Sequence, residues 1–390
     1  MRNLLPWQRA LMYVLLFALT LCTTIMAGAE LYTGQSWWGE LKWKNWPLGI
    51  PYAFAFLTFL TCHEFGHYFA ARHHHVRTTL PIFLPLYIPG LVNIGSLGAV
   101  IALQEVPRTP RQFFDIGISG PLAGIVASLG ILILGVWTLP DPEAFLLNIH
   151  PQWEGLFGGI PSETELETHL LAEKDVKIVT GKSLLLMGIL NAAAGSGGLL
   201  PPDFGLIHYP LLFAGFLTLF ATALNLLPIG QLDGGHITYA MFGRNTAGII
   251  SRLTVLGLLM VGGTGLLSFH EMSYLKGLEL LAYAAFLFYI MMKVLDRFSL
   301  PLVGLCTGLF FCLQLFVHHL FPEIEGQYIW LLYTLLVVRV IKLDHPPSYE
   351  SEPLNRSRKI LGWFALLIFV LCFTPAPLRL IGDTAFQWIW

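Results

Sequence analysis

Long apolar runs dominate the chain, most of them close to the roughly 20 residues that a helix needs to cross a bilayer. They fall at about 10–28, 51–71, 115–137, 208–228, 247–268, 277–295, 300–320, 327–342 and 360–376. Each predicts a membrane-spanning helix. The shorter runs and a weak one at 184–200 put the expected count at about eight to nine. Residues 81–103 are apolar too, but Pro85, Pro89, Gly90, Gly95, Ser96 and Gly98 interrupt them too often for a helix. On the residues alone, an interfacial loop is the plain reading of that stretch. Two polar connections stand out: an acidic one at 139–183, with Glu163, Glu165, Glu167, Glu173 and Asp175, and one at 344–359 opening Asp344-His345-Pro346-Pro347-Ser348. No internal repeat or long low-complexity segment is visible.

Composition agrees with the pattern. Of 390 residues, 55% are hydrophobic and only 12% charged, about half the charge of a soluble domain, which places the chain among polytopic membrane proteins. The formal net charge of -2 gives no sign of a nucleic-acid surface. Twenty-eight Phe and 11 Trp suit lipid-facing helices with interfacial anchors. Cys22, Cys62, Cys306, Cys312 and Cys372 all lie in apolar runs and form no C-x-x-C pair, so neither a disulfide framework nor a thiolate metal site is expected.

Basic residues set an orientation. Arg2 and Arg9 precede the first run, Arg72 and Arg77 follow the second, and Arg108 and Arg111 precede the third. Arg244, Lys293, Arg297, Arg339, Lys342, Arg356, Arg358 and Lys359 fall in alternate connections beyond. A cytoplasmic N-terminus puts nearly all of them inside and the acidic 139–183 loop outside. The first run also has the features of a cleaved signal peptide, with Ala27-Gly28-Ala29 after its apolar core. Its length favours a retained helix, and the later spans keep their orientation either way.

Within the second run stands His63-Glu64-Phe65-Gly66-His67. On a helix, residues four apart project from one face about one turn apart, so the two imidazoles can share one Zn²⁺ while Glu64 serves as general base on a metal-bound water. Ionisable groups at membrane depth are costly and usually mark function. A catalytic zinc needs a third protein ligand at the depth and side of His67, which lies about 8 Å of helix from Arg72. His270, Glu271, His318, His319, Glu323 and Asp203 fall on the outer side, and Asp115 sits among Arg108 and Arg111 in an ordinary interfacial setting. Asp233 fits best. It follows Asn225-Leu226-Leu227-Pro228 and precedes Gly234-Gly235-His236, a stretch whose proline and glycines break the helix at the inner end of the fourth run. The alternative is that Asp233 merely caps the next helix.

Those paired motifs resemble the site-2 protease family of intramembrane zinc metalloproteases, most nearly the branch that includes the EGY proteases of chloroplasts and bacterial relatives. The resemblance implies a core at 51–243 of three helices with a short membrane-embedded β-hairpin at 81–103. Residues 1–50 then form an N-terminal helix and outer loop, and 244–390 further helices of unassigned role. The fold class is an all-α polytopic membrane protein. The resemblance further implies one Zn²⁺ per chain held by His63, His67 and Asp233, Glu64 activating water, and Asn225 placing substrate or stabilising the oxyanion. An interhelical hydrogen bond is the other reading of Asn225. The implied activity is hydrolysis within transmembrane segments of protein substrates, in a bacterial inner or plasma membrane, with the active site toward the cytoplasm. The expected partners are those substrates and the lipid bilayer, with no nucleic acid. A Zn²⁺ or proton transporter and an inactive scaffold are the competing functions, and intact Glu64 argues against the second. The loop at 139–183 leaves no room for an inserted PDZ domain. Gly120 and Gly124 are expected to serve helix packing, His73-His74-His75 an interfacial cluster, and His236 the surroundings of the site rather than a ligand position.

Overall fold

The computed structural model describes residues 5–39, 41–88, 93–173, 176–195, 199–266, 274–324, 326–350 and 352–382. Arg2, Pro89, Gly90, Asp175, His270 and Glu271 lie outside them. In chain order the elements are α1 (Pro6–Thr33), a 3₁₀ turn (Trp43–Gly49), α2 (Ile50–His73), β1 (Ile82–Pro85), β2 (Ser96–Val100) and α3 (Pro110–Trp137). Four shorter elements follow: α4 (Pro142–Ile149), α5 (Gln152–Phe157), α6 (Glu163–Glu173) and β3 (Val176–Thr180). Then come α7 (Leu184–Gly195), a 3₁₀ turn (Asp203–His208), α8 (Pro210–Leu226) and α9 (Asp233–Gly263). The chain finishes with α10 (Tyr274–Val294), α11 (Leu300–Leu320), α12 (Tyr328–Leu336), α13 (Arg356–Cys372) and β4 (Leu378–Gly382).

Among the described residues, six helices are long and apolar enough to cross a membrane, against the eight to nine expected: α1, α2 with its preceding turn, α3, α9, α10 and α11. The runs at 208–228, 327–342 and 360–376 do form helices, but short ones. α8 and α13 have 17 residues each. α8 is bounded by Pro210 at its start and a turn around Pro228 at its end, where a missing N–H and a fixed φ stop propagation. α12 has nine residues and runs on through a π-turn to Ile341.

The helices and strands fall into two compact units. The first comprises residues 1–107, 118–225 and 364–390. In it α1 packs on the turn before α2 through glycine: a Cβ on Gly28 would stand 2.7 Å from the Gly49 carbonyl. Tyr52 stacks on Phe56 and Phe213 to join α2 to α8. The hairpin expected at 81–103 is present, with β1 antiparallel to β2 in the register Ile82↔Val100, Phe83↔Ala99, Leu84↔Gly98. It is seated on α1, where the Thr23 hydroxyl donates to the Gly95 carbonyl at 2.7 Å and Gly95 holds φ 82°. An unexpected second sheet pairs β3 antiparallel with β4, so the all-α description is widened to two small two-stranded sheets.

The second unit comprises residues 108–117 and 226–363. Gly262 of α9 lies against Trp330 and Leu331 of α12. One buried polar pair in it is satisfied: Tyr283 donates to the Gln314 side-chain oxygen at 2.9 Å, and the Gln314 amide donates to the Leu259 carbonyl at 2.8 Å. The α9 helix is broken at Gly243 (φ 79°, ψ 171°), a backbone conformation open to glycine alone among ordinary residues.

Candidate metal centre

His63 and His67 come together on α2 as their spacing requires. Their Nε2 atoms lie 3.1 Å apart and their ring centroids 4.7 Å apart, the rings at 77°. Both side chains are buried, as is Glu64 between them, at 3%, 7% and 7% exposure. Such burial of three ionisable groups has a steep desolvation cost, which a bound cation offsets by taking imidazole lone pairs and standing close to a carboxylate.

Room for the rings comes from α3. A Cβ at Gly120 would fall on the His67 imidazole itself. One at Gly124 would stand 2.9 Å from Phe59 and 3.1 Å from His63 Nδ1, and one at Gly66 would meet the Ser119 carbonyl at 2.5 Å. The glycines therefore bring the helices close, as expected of Gly120 and Gly124, and Gly120 also forms the cradle of a ligand ring. This observation, with two imidazole nitrogens aimed at one point, fits a transition-metal ion of the zinc type.

Asn225, in the last turn of α8, places its side-chain Nδ2 3.2 Å from His63 Nε2. The interhelical contact weighed for it is thus made, and made at the ring nitrogen that faces His67.

Asp233 belongs to the second unit, where it opens α9 with Leu232 as the capping position. A carboxylate in that first turn suits the helix dipole. The turn before it is tight. Ile229 N donates to Leu227 O at 2.7 Å and Leu232 N to Ile229 O at 3.0 Å, with Gly230 at φ 47°. Gly234 packs directly on the Leu226 carbonyl.

His236 is held from several sides in the same unit. Its Nδ1 lies 2.6 Å from His345 Nε2, its ring stacks on Phe113 at 5.5 Å, and Gly117 lies against its Cβ. His345 in turn stacks on Tyr239 at 4.0 Å and donates from Nδ1 to the Pro346 carbonyl at 2.6 Å. Since that carbonyl only accepts, the neutral His345 ring presents a lone pair at Nε2, and His236 donates to it from Nδ1. Sequence reasoning saw in 344–359 only a polar connection. Asp115 pairs with Arg358 at 2.7 and 2.8 Å, in keeping with the structural role expected of it. His73 and His75 are exposed, His74 half-buried, and the rings of His73 and His74 touch edge to face.

A His-Glu-x-x-His helix, buried among apolar helices with its glycine-lined partner, defines a membrane-embedded metallopeptidase type of site. The chain belongs to Peptidase family M50, the site-2 type of zinc metalloprotease, whose family model matches residues 51–269. It is 29% identical over 227 residues to the probable zinc metalloprotease EGY1, chloroplastic, of Arabidopsis thaliana, covering 57% of this chain and 36% of that protein. It is likewise 29% identical over 253 residues to the probable zinc metallopeptidase EGY3, chloroplastic, of the same plant, covering 63% and 39%. The EGY1 protein of Oryza sativa subsp. japonica matches at 29% over 216 residues, 55% of this chain and 32% of that one. The chain thus spans about a third of the length of these curated relatives. No solved structure matches it.

Proposed function

We propose that this protein is a zinc-dependent intramembrane endopeptidase that cleaves transmembrane segments of other membrane proteins. The observation that carries the reading is the buried imidazole pair of His63 and His67, 3.1 Å apart at Nε2, with Gly120 vacating the space of one ring. His63 and His67 hold the metal through Nε2, and Asp233 gives the third ligand. Support for Asp233 comes from the sequence: it lies in the stretch Asn225-Leu226-Leu227-Pro228 to Asp233-Gly234-Gly235, at the inner end of the run that ends near 228. Zinc when bound supplies Lewis acidity, polarising the scissile carbonyl and lowering the pKa of water toward neutrality.

The remaining chemistry belongs to side chains of this chain. Glu64, buried on the same helix, takes the proton of the attacking water and delivers it to the departing amine. The Asn225 amide donates to the oxygen on which negative charge develops. A peptide bond inside a helix is shielded by its own hydrogen bonds, so the substrate must unwind. The β1–β2 hairpin has two strands, neither paired to a third strand among the described residues, and an unwound segment can pair at its edge. Basic residues flanking the spans orient the site toward the cytoplasm in a bacterial inner or plasma membrane.

The test uses full-length protein in detergent with its zinc quantified, offered a panel of membrane-spanning substrates beside Glu64→Gln. Both proteins are expected to carry about one zinc per chain, with cleavage by the wild type alone. Equal cleavage by the two would overturn the role given to Glu64.

A further inference from the structure

A second histidine pair lies in the first unit, apart from α2. His150, at the C-terminal end of α4, and His208, at the end of the 3₁₀ turn before α8, set their Nε2 atoms 3.1 Å apart. That separation equals the one between His63 and His67. His208 is buried, and its Nδ1 donates to the carbonyls of Leu31 at 3.0 Å and Tyr32 at 3.2 Å, in the last turn of α1. Those carbonyls are among the helix-end acceptors that lack an intrahelical donor. With its proton fixed at Nδ1, the neutral His208 ring directs a lone pair from Nε2 toward His150. A ligand histidine in a metal site is oriented in just this way, by a backbone carbonyl behind the ring.

The second ring is equally constrained. His150 stacks on Trp153 of α5 with centroids 4.2 Å apart and planes at 24°. Gly34 ends α1 in the left-handed region, at φ 66°. A Cβ there would stand 3.2 Å from His208 Cε1 and 3.8 Å from His150 Cε1, the carbons bonded to the two converging nitrogens. Helix end, loop and turn are thus shaped around one point faced by two imidazoles.

We propose that His150 and His208 form a second metal site, for a divalent transition ion of the copper, nickel or zinc class, completed by water. Imidazole nitrogens select such ions over Mg²⁺ and Ca²⁺, which demand oxygen ligands. Bound there, the ion cross-links α4 and the entry to α8 onto the end of α1. The site is independent of the hydrolytic reading, since it shares no residue with the α2 centre.

The experiment titrates the zinc-loaded full chain in detergent with Cu²⁺, in a background carrying His73→Ala, His74→Ala and His75→Ala. Bound copper is counted after gel filtration, and its nitrogen couplings are read by electron paramagnetic resonance. The structure leads us to expect about one further equivalent of copper with imidazole couplings, lost in His150→Gln and in His208→Gln while the zinc at α2 is kept. His208→Gln also removes the donor to α1 and can fail to fold, in which case His150→Gln alone decides. Copper bound equally by wild type and His150→Gln overturns the proposal, and so does copper that binds only as zinc is displaced.

Discussion

Gly120 lies where α3 meets the His67 ring, and a methyl group there would claim space the ring already fills. Gly120→Ala is therefore expected to cost about 1–3 kcal/mol of overpacking and to push the imidazole off its line to His63. Zinc content measured by atomic absorption should fall well below that of the wild type. Gly130→Ala is the matched control on the same helix, since a Cβ there meets nothing within 4 Å, and should leave zinc untouched. Asn225→Ala has the opposite signature. Zinc should stay bound, while kcat falls by about 10²–10³, the usual cost of losing an oxyanion donor. Parallel loss of zinc and activity would make Asn225 a support of His63 and nothing more. The pair His63 and His67, with Glu64, was legible because one helical turn fixes their geometry. Gly120 was readable only as a packing residue, because which ring it cradles depends on where two helices cross. His150 and His208 are 58 positions apart and left no local pattern at all.

Among the elements, the connection 342–350 carries the clearest consequence. His345 is held well below the usual imidazole range, at about 3, first by burial and then by the proximity of His236, against the contrary effect of the Pro346 carbonyl. An unfolded His345 takes a proton near pH 6.5, and the folded one does not. Its contribution is thus nil above that pH, and stability is lost as pH falls from about 6.5 toward 3, by up to about 1.4 kcal/mol per unit. Hydrogen exchange of the 342–350 amides should accelerate between pH 7 and pH 5 beyond the intrinsic change. His345→Phe, which can keep the stack on Tyr239, should remove that excess. The hairpin supports a second expectation at this scale. Gly95 has φ 82° and lies against the backbone of Thr24, so Gly95→Ala should unseat the hairpin from α1. If substrate pairs with that sheet, KM should rise several-fold with zinc unchanged. The prolines and glycines of 81–103 excluded a helix, and the hairpin itself was legible only through the family resemblance. The β3–β4 pairing was not, because its strands are five residues each and join Val176–Thr180 to Leu378–Gly382 across about half of the chain.

At the scale of the whole molecule, the number of crossings decides whether Asp233 can stand on the side of His63 and His67. Six of the described helices are long enough to cross; the shorter apolar helices α7, α8 and α12 leave the count open. Between Gln152 and Glu350 lie α9, α10 and α11, and each of the three short helices adds a crossing if it spans. With none or two of them crossing the number is odd, and the two residues fall on opposite faces. Both are exposed and can take a label. In a cysteine-free background, Gln152→Cys should react with an impermeant maleimide in intact cells, and Glu350→Cys only once the membrane is opened. Labelling of both from one face requires that one or all three of the short helices cross. Because α3 delivers the chain to the outer side, Asp233 shares the inner side with His67 only if one of α7 and α8 crosses and the other does not. A third cysteine at Asn245, just past the break at Gly243, reads that side directly: protection in intact cells keeps Asp233 as ligand, and free labelling removes it.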